Sequence, residues 1–155
     1  MLNDSIFKLH RCLRERHLQF FSKYSPEQLA LIPAGFRNNL LWNAGHIIVT
    51  QQLYCYFNSG LPMYVDEDFI TKYRKGTAPD GSIPSLEEIE LIKELMISTQ
   101  EKMEVDYKNG LFKGYTDYVT GINFPLHNAE DAIEFNVSHE GSHLGTVIAL
   151  SYFIK

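Results

Sequence analysis

The sequence has little cysteine: Cys12 and Cys55 are the two in 155 residues, and they do not form a C-x-x-C pair. A disulfide framework is therefore not expected, and both cysteines read as reduced, buried thiols of a cytoplasmic protein. Long apolar runs are also missing. A membrane span needs ~18 to 20 apolar residues, and even HIIVTQQLYCYF is broken by Gln51 and Gln52. The opening MLNDSIFKLHRCLRERHL carries charge early, and it lacks the apolar core and small-residue cleavage site of a secretory signal. No dense basic cluster occurs, and 14 Lys+Arg against 19 Asp+Glu give a net charge of -5. Nucleic acid and membrane are not expected partners.

What is present fits one globular domain over residues 1–155, with 45% hydrophobic and 21% charged residues. Leu2, Ile6, Leu9, Leu13 and Phe20 recur at helical spacing and predict a first helix, capped by Asn3 or Asp4. Ser25-Pro26-Glu27-Gln28 predicts a short capped turn. A second long helix is expected from Asn38 to about Asn58, stopped by Asn58-Ser59-Gly60, with Trp42, Gly45, Val49, Leu53 and Phe57 in period. Residues 61–84 show no sustained period and read as a long loop in which Asp66-Glu67-Asp68 is solvated. Ser85-Leu86-Glu87-Glu88 opens a third long helix that ends at Asn109-Gly110. Residues 110–127 read as a loop with short extended pieces. Asn128 caps a last helix running almost to Lys155. Four long amphipathic helices, with long loops between the second and third and between the third and last, predict an all-α four-helix bundle.

The last helix contains His139-Glu140-Gly141-Ser142-His143. Two histidines one turn apart share a helix face, their Cβ atoms roughly 5 to 6 Å apart, and both imidazoles can reach one metal. The H-E-x-x-H pattern is that of zinc peptidases, which take a third ligand downstream. Here only LGTVIALSYFIK follows, without His, Asp, Glu or Cys. A third ligand must come from upstream. His46, within the apolar WNAGHIIV, is best placed; His127 competes from the entrance of the last helix, where a capping or loop role suits it better. His10 and His17 lie among charged residues and read as solvated or boundary side chains. Position 140 has three readings: orienting a ligand, acid/base chemistry, or facing solvent. Asn43 shares the face of His46 and reads as a hydrogen bonder to a ligand or to substrate, and Trp42 as packing.

These segments carry a resemblance. NNLLWNAGHI resembles the N-x-x-W-x-x-x-H-I entry of the DinB/YfiT-like family, and SHEGSHLG resembles its H-x-x-x-H-x-G, in the same order and with a long gap between them. The chain departs from the family at Leu144 and Thr146, where many members have Arg and Gln. The resemblance implies a four-helix bundle in which His46, His139 and His143 bind one divalent metal, with Zn or Ni the first choices, and a homodimer. It also implies two activities on a small-molecule substrate: hydrolysis by metal-activated water, or transfer through a metal-activated low-molecular-weight thiol. Three neutral imidazoles leave the cation its full charge, enough to lower the pKa of bound water toward ~7. A non-catalytic metal-binding or stress-response module is the alternative, and a zincin-like peptidase the minor one.

Overall fold

The computed structural model describes residues 1–155. Its helices are α1 (Asp4–Phe21), α2 (Pro26–Ala30), α3 (Leu40–Gln51), α4 (Glu67–Tyr73), α5 (Leu86–Lys108) and α6 (Ala129–Ser151). A π-helical turn over Gln52–Tyr56 and a 3-10 turn over Phe57–Ser59 prolong α3 to Gly60, whose φ of 69° ends it in the left-handed region. Two-residue strands β1 (Tyr118–Val119) and β2 (Pro125–Leu126) pair antiparallel, Tyr118 opposite Leu126. No helix is long and apolar enough to cross a membrane.

Local chemistry accounts for the helix starts. Asn39 accepts a hydrogen bond from the Trp42 amide, Ser85 from Glu88 and Asn128 from Asp131, and Ser25 and Gln28 close a reciprocal capping box. The segment read as a solvated loop at 66–68 is a helix start instead. Asp66 caps α4 by accepting from the Phe69 amide, Glu67 and Asp68 occupy the first turn, and Phe69, Ile70 and Tyr73 are buried. Acidic residues are favourable there because the unpaired amides make that end positive.

Helix α1 packs on α5 and α6, and α3 packs on α4, α5 and α6. Every residue of α3 from Leu40 to Gln51 is buried, as expected for a helix with neighbours on all sides. The core has two apolar parts. One gathers Phe21, Ile47, Ile48, Ile92, Met96 and Leu150; the other Phe7, Cys55, Tyr56, Met103, Leu126 and Ile133. Along each long helix the residues between the two parts are polar and buried: His10, Arg14 and His17 on α1, Gln51 and Gln52 after Val49, Thr99 and Gln100 on α5, Asn136 and Glu140 on α6. A polar layer thus crosses the core at mid-height.

Three expectations are corrected here. The face that α1 buries is Phe7, His10, Arg14, His17, Phe20 and Phe21; of the expected stripe Phe20 is buried, Leu2, Ile6 and Leu13 are half-buried, and Leu9 is 50% exposed. His10 and His17 are core residues, 0% and 2% exposed. Of the two thiols Cys55 is buried, but Cys12 is exposed.

Candidate metal centre

Helix α3 contributes His46, and α6 contributes His139 and His143. Their ligating atoms lie within 4.8 Å of one another, with ring centroids 5.3 Å apart for His46–His139, 4.8 Å for His46–His143 and 4.5 Å for His139–His143. Helix geometry aligns the pair on α6, and the crossing of α3 over α6 brings in the third ring.

Hydrogen bonds set two of the three rings. His46 Nδ1 donates to the Tyr73 carbonyl at 2.8 Å, which leaves Nε2 with the lone pair in the neutral ring; Thr50 Oγ1 is 3.3 Å from it. His143 Nδ1 donates to Asn43 Oδ1 at 2.7 Å, and Asn43 Nδ2 donates to the Asn39 carbonyl at 2.7 Å, so the amide cannot turn over. Such outer hydrogen bonds orient ligating imidazoles and raise their basicity. His139 Nδ1 is buried and has no hydrogen-bond partner. Trp42 stacks on His46 with centroids 4.3 Å apart and planes at 13°, and its Nε1 donates to Thr77 Oγ1 at 2.9 Å. Its packing role is therefore to hold the His46 ring.

Burial holds all three imidazoles below their ordinary range. His139 is lowered to about 4 and His143 to about 3, each by desolvation first and then by repulsion from neighbouring rings. His46 is lowered by desolvation, against the pull of the Tyr73 carbonyl. Three neutral rings converging at this distance form a donor set for a borderline divalent cation, and the unpartnered His139 nitrogen is a polar atom that burial alone does not explain. The residues fit a metal.

Tyr73 depends on Gly45. A Cβ at position 45 would lie 2.4 Å from Tyr73 Cγ, so the ring closes on α3 only because no side chain intervenes. Gly45→Ala is expected to lower stability by about 1–3 kcal/mol through overpacking and to disturb the carbonyl that holds His46. Thermal unfolding checks this, and a change within ~0.5 kcal/mol would mean that the contact is not tight.

The structure does not bring Glu140 to these rings. Its side chain is fully buried on the side of α6 that faces α1. Arg14 Nε donates to Oε2 at 2.7 Å and Nη2 to Oε1 at 2.8 Å, His10 Nε2 donates to Oε1 at 2.9 Å, and Asn136 Nδ2 to Oε1 at 2.8 Å. These donors occupy both carboxylate oxygens. His17 Nε2 donates to the Glu140 carbonyl at 3.0 Å. Burial pushes the Glu140 carboxyl up, but the Arg14 guanidinium and His10 outweigh it and hold it well below the usual carboxylate range. Asn43 is fully buried against His143 rather than in an open cavity. His127 is on the surface, its Nδ1 2.9 Å from Asp117 Oδ2, and outside the cluster.

A cavity of about 270 Å³ opens beside the cluster, with His46 and His139 among its lining and Thr50, Tyr54, Tyr118 and Lys75 around them. Burial and the neighbouring Tyr118 push the Tyr54 phenol up to about 12, so it is a hydrogen-bond donor at neutral pH. Sequence reasoning did not find Tyr73, Tyr54 or Lys75. For Tyr73 a signal was present, since Asp66, Phe69, Ile70 and Tyr73 have the spacing of a cap and a short buried helix face.

A mostly helical chain with three histidines from two long helices converging on one point belongs to the class of helical proteins with an inter-helix histidine cluster able to hold a metal ion. The sequence matches the DinB superfamily over residues 10–147. The chain belongs to that superfamily, and the matched span contains all three histidines. A comparison with curated proteins finds no match.

Proposed function

We propose that the protein is a metal-dependent enzyme acting on a small molecule, with His46, His139 and His143 holding one divalent cation, Zn or Ni, and with water or a low-molecular-weight thiol as the nucleophile. The observation that carries this reading is the convergence of three neutral imidazoles within 4.8 Å, two of them held by buried acceptors, at the wall of a cavity. When bound, such a cation lowers the pKa of a water or thiol and supplies a nucleophile at neutral pH.

The chain's own residues do the rest. The Tyr73 carbonyl and Asn43 Oδ1 keep His46 and His143 in the tautomer whose Nε2 is free. Tyr54, protonated at neutral pH, is placed to donate to an acceptor in the cavity. Arg14, His10 and His17 anchor α6 through Glu140 and so fix the height of the turn that carries His139 and His143. Glu140 is thus a positioning residue. The cavity favours an enzyme over a closed, purely structural metal site, because a catalytic site keeps a position open. We read the four long helices α1, α3, α5 and α6 as a four-helix bundle and residues 1–155 as one domain, since α1 and α6 pack together across its polar layer. An exposed, unpaired Cys12 supports a reducing cytoplasmic setting.

Elemental analysis of purified protein and of His46→Ala, His139→Ala and His143→Ala tests the proposal. One equivalent of metal is expected in the parent and little in each variant. Stoichiometric metal in His46→Ala would exclude the triad. Turnover of electrophilic substrates that no added thiol accelerates would remove the transferase branch and leave the hydrolase.

A further inference from the structure

The cavity beside the histidines is charged with one sign. Lys75 is in its lining, and no Asp or Glu is. Lys75 has no carboxylate within ion-pair distance anywhere in the protein. Its ammonium lies over Gly121, in the turn between β1 and β2, where an added Cβ would sit 3.0 Å from Nζ. A bare backbone there gives the side chain its path. The segment after α4 and the β1–β2 turn therefore meet at the cavity with a free cation between them. The walls also include three aromatic side chains, Tyr54, Phe57 and Tyr118. The Tyr54 and Tyr118 rings are 5.4 Å apart, and Phe135 and His139 each pack edge-on to Tyr54, at 5.8 and 6.2 Å.

An apolar-walled pocket with a few convergent polar groups selects ligands by where those groups are, and an unpaired cation at the rim of a low-dielectric cleft concentrates anions. We infer that the cavity takes a small molecule with a carboxylate at one end and an aromatic or apolar body, the carboxylate pairing with Lys75 and the body lying against Tyr54 and Tyr118. Lys75 is then the residue that determines specificity for an anionic substrate. The inference rests on the proposed function for the choice of site, but the pairing with Lys75 requires no metal.

The probes are phenylacetate and its neutral isostere phenylacetamide, titrated into the full-length protein before and after treatment with chelator. Binding is read from the fluorescence of Trp42, the one tryptophan in the chain, which stacks on His46. Phenylacetate is expected to bind about three- to fivefold more tightly than the amide, since a pair with an exposed lysine is worth up to about 1 kcal/mol. The preference should survive chelation, persist in Lys75→Arg and vanish in Lys75→Met. Lys75 is exposed, so the variant should fold, and its unfolding temperature verifies that. Equal affinities, no binding of either probe, or a preference that survives in Lys75→Met would each overturn the inference. Metal content of the same samples separates the two readings. Metal without carboxylate preference leaves the proposed function standing and removes the role of Lys75; preference without metal does the reverse.

Discussion

Arg14→Met should destabilise the protein by about 3–5 kcal/mol, the cost of leaving a buried charge without its partner. For a chain of this size that is a fall of roughly 6–20 °C in Tm. Arg14 and Glu140 are both fully buried, and Arg14 binds both carboxylate oxygens. It also donates to the Met96 carbonyl at 2.9 Å, Thr99 Oγ1 at 3.2 Å and Gln51 Oε1 at 3.2 Å. One side chain on α1 therefore ties α3, α5 and α6 together at the polar layer. Removing it strands Glu140, whereas Arg14→Met combined with Glu140→Met removes both charges and should recover much of the loss. The pH dependence has a definite sign. Because the folded Glu140 pKa is depressed, its contribution is complete above the ordinary carboxylate pKa near 4.5 and is lost as pH falls below it. Acid should destabilise the parent more steeply than the double variant. Chemical denaturation across pH measures both effects, and an Arg14→Met loss below ~1 kcal/mol, as for a surface pair, would show that the layer is solvated.

The same layer explains where sequence reasoning succeeds and where it fails. His139 and His143 are legible because a single helical turn brings them together. The caps at Ser25, Ser85 and Asn128 are legible because each satisfies an amide three residues away. The buried face of α1 is not. Its apolar stripe, Leu2-Ile6-Leu9-Leu13-Phe20, is buried only at Phe20; along the rest of the helix Phe7-His10-Arg14-His17 takes the core side because Glu140, 126 residues along the chain from Arg14, supplies the counter-charge. No local pattern displays such a partner. The hold on His46 is illegible for a related reason. It comes from a backbone carbonyl, that of Tyr73: the short α4 can be read from its cap and buried face, but a carbonyl carries no side-chain signature to show that it meets His46. Contacts closed within one helical turn can be read, and a distant His46 can be read because a histidine in an apolar helix stands out, whereas charges compensated across the core cannot.

Metal binding should resist acid far better than three ordinary histidines allow. A ligating imidazole must give up its proton, so metal and proton compete for each ring. With ordinary values near 6.5, each of three rings would lose a factor of about 30 in affinity between neutral pH and pH 5, more than ten-thousand-fold together. In this protein burial has already lowered all three rings, and repulsion from neighbouring rings adds to it at His139, lowered to about 4, and at His143, lowered to about 3. Protons are thus poor competitors at His139 and His143, and the fall in affinity between pH 7 and pH 5 should be far smaller than for three ordinary rings, with these two losing ground only nearer their lowered values. Competition titration against a chromophoric chelator, corrected for the chelator's own protonation, gives the profile. Half-release near pH 6–6.5 would mean that the metal-free rings are solvated, contrary to the packed cluster. The linkage has a second side. A His held neutral by burial makes the metal-free fold less stable as pH drops through the unfolded value, because the unfolded chain then binds more protons. Metal-free protein should therefore lose stability from about pH 6.5 downward, and added Zn or Ni should delay that loss in the parent while leaving His143→Ala unchanged.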